Sequence, residues 1–218
     1  MINYGFSDPN PRTSMRRKMK VTGSGSIKAE PDIATVNLGV VTENMSLEAA
    51  QRENTLRTNA VIDSLLKLKV SRKDIGTASF DIQPQYDFVE GRQEFKGFRV
   101  TNILSVTVRD LSKTGEIIDT AIASGANRVD SVRFSVENPA EYYSRALSLA
   151  VRSASEKAKE LSYDFGVQLN PIPIRITEQS SVTLPEEAQT MKLMASSTPI
   201  LPGQIEITAR IEVVFEYR

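Results

Sequence analysis

Residues 138–166, NPAEYYSRALSLAVRSASEKAKELSYDFG, decide the fold, because both ends of a long helix are written into them. Asn138 suits the N-cap, Pro139 the first helical position, and Glu141 the acid of a capping box. Tyr143, Ala146, Leu147, Ala150, Val151, Ala154, Ala158, Leu161 and Phe165 recur at steps of three and four, which draws one apolar stripe. The alanines keep that stripe shallow, so the reading predicts a sheet lying close against the helix. Gly166 supplies the left-handed residue that ends it. No residue of the helix announces a chemistry.

Outward from the helix, the flanks read as strands. Val132, Phe134 and Val136 alternate before it, and Ile172, Ile174 and Ile176 after it, starting between Pro171 and Pro173 as an edge strand would. Residues 179–203 form a long Ser-, Thr- and Pro-rich loop containing Met191, Leu193 and Met194. The chain closes on a clean alternation, with Ile205, Ile207, Ala209, Ile211, Val213 and Phe215 on one side.

The first half has the same grammar. Ala34, Val36, Leu38 and Val40 mark a strand, and a helix from Ser46 to Leu68 carries Leu47, Ala50, Val61, Ile62 and Leu65. Asn54 and Thr58 interrupt its stripe and read as helix-surface residues near a sheet edge. Ala78, Phe80, Ile82 and Pro84 open a second strand. A polar segment from Tyr86 to Gly97 leads into a third, whose inward set is Phe98, Val100, Asn102, Leu104, Val106 and Val108. Two such strands around a tip imply an antiparallel hairpin. Asn102, polar at an apolar position, is expected to bond backbone at the hairpin. A short helix capped by Ser112 and stopped at Gly125 joins the halves. The expectation is an α+β fold: two strand-helix-strand-strand units joined by that short helix, as an antiparallel-rich sheet with helices on one face.

The 218 residues bound the rest. Such a chain buries roughly 70% of its unfolded surface and needs no disulfide or metal staple. The 27 basic residues balance the 27 acidic ones, which argues against nucleic acid as a partner. Residues 1–20, with five basic residues and one acidic, read as a flexible basic tail ahead of a domain spanning 21–218. With no cysteine or histidine, thiolate chemistry, histidine triads and the common zinc sites are excluded, and no metal or cofactor is expected. The cluster at residues 16–20 lacks the apolar core of an export signal, and no window is long and apolar enough to cross a membrane. A cytoplasmic location is expected.

Candidate chemistry is sparse. Gly23-Ser24-Gly25 lacks the third glycine of a dinucleotide loop and precedes a strand. Asp81, Asp87, Glu90 and Glu94 gather near the first hairpin, where Tyr86, Asp87, Arg99 and Asn102 are candidate binding residues of a cleft. The plainer reading is a charged hairpin tip that discourages aggregation. The closing strands of the two units run to ~12 residues, or ~40 Å, against the usual ~5–6 residues. They are expected to overhang the helices and to seek self-association, with Met191, Leu193 and Met194 as loop contacts between subunits.

Val21-Thr22-Gly23-Ser24-Gly25, Asp74-Ile75-Gly76-Thr77, Ile82-Gln83-Pro84-Gln85-Tyr86, Val100-Thr101-Asn102 and Ser124-Gly125-Ala126-Asn127, with the alanine helix ahead of Gly166, resemble the SIMPL-domain family. That is a family of unknown function that includes bacterial periplasmic immunogenic proteins. The resemblance covers about residues 21–218. It implies an α+β fold, homo-oligomeric assemblies and links to oxidative or envelope stress, and it brings no agreed catalytic residues. The expected function is a non-enzymatic, self-assembling protein of stress tolerance. The alternatives are a small-molecule binder or carboxylate enzyme with a cleft at the first hairpin, and an adaptor for another protein.

Overall fold

The computed structural model describes residues 17–89, 91–179 and 202–218. Its elements run β1 (Arg17–Ala29), β2 (Ile33–Asn44), α1 (Leu47–Lys67), β3 (Ile75–Val89), β4 (Arg92–Val108), α2 (Thr114–Ala123), β5 (Arg128–Ser135), α3 (Pro139–Asp164), β6 (Arg175–Glu178) and β7 (Ile205–Tyr217). This is an α+β fold, in which strand, helix, strand, strand recurs from β2 to β4 and from β5 to β7 as the sequence pattern predicts, while β1 is a further strand that the pattern does not predict. The strands form two sheets rather than one, of order β3-β4-β2-β5 and β1-β7-β6. The chain divides into two compact units that contain these sheets.

In the four-stranded unit, β2 lies between β4 and β5 and pairs antiparallel with both. Ala34, Val36, Leu38 and Val40 are fully buried, as their alternation predicts. They meet Leu65 and Val61 of α1, Leu104 and Val106 of β4, and Ile117 and Ile118 of α2. Large branched side chains fill this core. Asp110, not Ser112, caps the turn before α2, its carboxylate accepting from the Ser112 amide at 3.2 Å. The Ser112 hydroxyl, which also donates to it, and secondarily that amide hold the Asp110 carboxyl below its usual pKa. Asn127 fixes the end of the α2 segment by pairing both ways with the Val41 backbone, at 2.8 and 2.7 Å.

Asn54 and Thr58 depart from the expectation of surface residues, for both are buried. The Asn54 amide donates to the carbonyls of Val40 and Val100 at 2.8 and 3.1 Å, tying α1 to β2 and β4. Thr58 donates to Asn54 Oδ1 at 3.3 Å and accepts from Asn102 Nδ2 at 3.5 Å. Asn102 therefore bonds a helix side chain and not the backbone. A buried amide placed against a sheet needs such partners, since leaving it unpaired costs about 1–3 kcal/mol.

The three-stranded unit is packed differently. The inner face of β7 meets Ala146, Ala150, Ala154 and Ala158 of α3, all fully buried. The shallow stripe is therefore as expected, but it is narrower: Val151, Leu161 and Phe165 are exposed. β1 explains the alanines. A Cβ on Gly23 would lie 2.0 Å from the Ala150 carbonyl oxygen, and one on Gly25 would lie 2.4 Å from that of Ala146. Strand and helix backbones touch here, which neither residue type permits if enlarged. Gly23-Ser24-Gly25 thus lies inside a strand as a packing device. β1 also takes in Arg17–Lys20, which the sequence pattern assigns to a tail, and the Lys20 ammonium lies 2.7 Å from Glu212. β6 is an edge strand, as the prolines ahead of it predict, but it starts only at Arg175, so Ile172 and Ile174 precede it.

Candidate functional site

The β3–β4 hairpin carries the residues that the sequence singles out. The polar segment 86–97, which reads as a loop, is ladder almost to the tip, with Tyr86 opposite Phe95, Asp87 opposite Glu94 and Val89 opposite Arg92. Aromatic residues facing one another across a strand pair supply the stabilisation that a loop would lack. Tyr86 and Phe95 pack edge to face at 5.6 Å, and Phe95 and Phe98 at 5.2 Å. Gly97, at φ +121°, sits at a register shift where a Cβ would meet the Asn44 carbonyl oxygen at 2.5 Å. Pro84 is tolerated because β3 is the sheet edge.

β2 accompanies β4 only as far as the Asn44–Phe98 pair. Beyond it, Arg92–Gly97 pairs with β3 alone, as a ribbon of two strands about 20 Å long. No third strand backs that ribbon, and such pairs are marginal in water by themselves. Its side chains are open to solvent, with Tyr86 50%, Phe88 77% and Phe95 40% exposed. Phe80, part of the alternation that opens β3, is exposed as well.

The four candidate binding residues are strung along this hairpin rather than gathered. Asp87 bonds Lys96 at 2.8 Å, which raises the lysine pKa. Arg99 bonds Glu43 at 2.6 Å. Tyr86 faces Phe95, and Asn102 lies opposite Phe80. From the Asp87 pair to the Phe80 pair is about 23 Å along the strand, too far for one small ligand to touch all four. Asn102 keeps a buried group unanswered, its Oδ1 having no hydrogen-bond partner. Among the described residues no cluster of three or more Asp and Glu is placed to hold a metal ion. Glu90, Met191, Leu193 and Met194 lie outside the described residues.

The surface is thus an exposed aromatic ribbon on an α+β scaffold. The chain belongs to the SIMPL family, described as proteins of unknown function (DUF541), which matches residues 19–215. It is 30% identical to the 26 kDa periplasmic immunogenic protein of Brucella abortus over 98% of this chain and 90% of that protein. It is 32% identical to the uncharacterized protein YggE of Escherichia coli K12 over 69% of this chain and 61% of that one. No helix among the described residues is long and apolar enough to cross a membrane.

Proposed function

We propose that this chain is a non-enzymatic, self-assembling member of the SIMPL family and that the end of its β3–β4 hairpin is a contact between copies. The observation that carries the reading is the unbacked ribbon with Tyr86, Phe88 and Phe95 open to water. Apolar groups set on a two-stranded ribbon gain most from being covered, and a second copy supplies an identical, self-complementary surface. The role in stress tolerance rests on the family resemblance. As to compartment, the sequence pattern leads to the cytoplasm, whereas the Brucella relative is named periplasmic. Osmotic-shock fractionation separates the two.

The direct test places the photo-crosslinker p-benzoylphenylalanine at position 88. The expected product after illumination of the pure protein is a band at twice the 24.1 kDa chain mass. A band confined to the monomer position would overturn the reading. Illumination in cells that joins position 88 to a different protein, with no self-adduct, would favour the adaptor instead.

A further inference from the structure

A cavity of about 270 Å³ opens in the four-stranded unit where α1 ends, away from the hairpin tip. Leu68, Val70, Val108 and Ile117 form its apolar wall. Lys69, Lys73, Arg109 and Lys113 bring four cations to it, against the two carboxylates of Asp74 and Asp110. These charges do not cancel evenly. Arg109 makes two bonds of 3.2 Å to Asp74 and one of 2.6 Å to Glu137, so its fork is occupied by two acids. Asp110 accepts from Ser112 and lies 3.6 Å from Lys113. The acids are thereby engaged, while Lys69 and Lys73 have no ion-pair partner among the described residues.

Lys69 adds an independent observation. It sits at φ +65° just past α1, and no other non-glycine among the described residues has a positive φ. The Lys69 amide bonds the Leu66 carbonyl at 2.9 Å, and the Val70 amide bonds that of Leu65 at 3.1 Å. This is the helix-ending motif in which glycine is the ordinary occupant. A lysine here holds the backbone in a strained region, the kind of outlier that clusters at binding sites, and it lines the cavity. The negative end of α1 opposes an anion by about half a charge, which two unpaired ammonium groups outweigh.

We infer that this cavity binds a small organic anion, with an apolar body against Leu68, Val70, Val108 and Ile117 and a phosphate or carboxylate held by Lys69 and Lys73. At about 270 Å³, the cavity is at the small end of ligand pockets, which suits a compact anion. The inference stands apart from self-association, because none of these residues lies on the β3–β4 ribbon.

Saturation-transfer difference NMR tests it on the full chain at low salt, with phenyl phosphate and benzoate as charged probes and phenol as the neutral one. Both anions are expected to give saturable signals, about ten-fold tighter than phenol, as one charge-assisted contact would supply. Lys73→Gln and Lys69→Gly are each expected to weaken phenyl phosphate by about as much. Lys69→Gly should melt no lower than the parent, since glycine relaxes that backbone, so its loss of binding is not a loss of fold. Equal affinity for phenol and the anions, absence of a saturable signal, or unchanged binding by both variants would overturn the inference.

Discussion

β4 and β7 look alike as sequence, each a long alternation of apolar and polar residues, yet the protein uses them in opposite ways. β7 is central, between β1 and β6, and Ile207, Ala209, Ile211, Val213 and Phe215 are buried at every second place. β4 is flanked by β2 only from Phe98 to Val108, and Arg92–Lys96 stands in solvent with β3 as its sole neighbour. The difference teaches that strand length does not by itself forecast an overhang. What decides is where the neighbouring strand stops: β2 ends at Asn44, opposite Phe98, and leaves the rest of β4 uncovered. The self-association proposed above therefore falls to the first hairpin, and the second long strand is part of a finished core.

If that contrast holds, the largest stability loss belongs to β7. Ile211→Ala should cost about 2–5 kcal/mol in denaturant unfolding, the usual penalty for emptying a full core position. Next comes Gly23→Ala, which forces a methyl group into the Ala150 carbonyl. Overpacking of that kind costs roughly 1–3 kcal/mol, and circular dichroism melting should register it in the three-stranded unit. Asn54→Ala tests the covered half of β4, since it removes donors to Val40 and Val100 and strips Thr58 of its acceptor. A loss of about 1–3 kcal/mol is expected, with faster amide exchange in β2 and β4.

The smallest effect lies on the ribbon. Lys96→Gln should leave the unfolding midpoint unchanged, because exposed ion pairs contribute little to stability. Its signature is pH dependence in local exchange at the tip. Asp87 raises the pKa of Lys96 above the ordinary 10.5, so the pair is intact below that value and is lost as pH climbs past the raised one. Protection of the tip amides in the parent should fall over that alkaline range and stay flat in the variant.

The order of elements was legible because periodicity reports local structure. The alternations of β2 and β7 and the stripe of α3 lie in single stretches of chain, and each predicts its own burial. Sheet membership was not, since no local signal says that β1 belongs beside β7 or that β5 stays with β2. Gly23 and Gly25 carried a readable hint, for glycines alternating in a strand ask for a backbone neighbour, and the alanines of α3 offer one. Asn54 and Thr58 are not legible as core residues because polarity in a helix stripe points to exposure, whereas an amide that can reach two carbonyls is stable in a core. The candidate residues on the hairpin were found as a group by sequence proximity, and the ribbon's extension pulls them apart. Lys69 left no trace in the sequence at all, since its interest lies in a backbone angle.

Sedimentation velocity of the full chain across a range of concentrations tests the central claim most directly. Species heavier than the 24.1 kDa chain are expected, reverting to that mass when Tyr86, Phe88 and Phe95 are all changed to serine. A parent protein that sediments as a single chain at every concentration would contradict it.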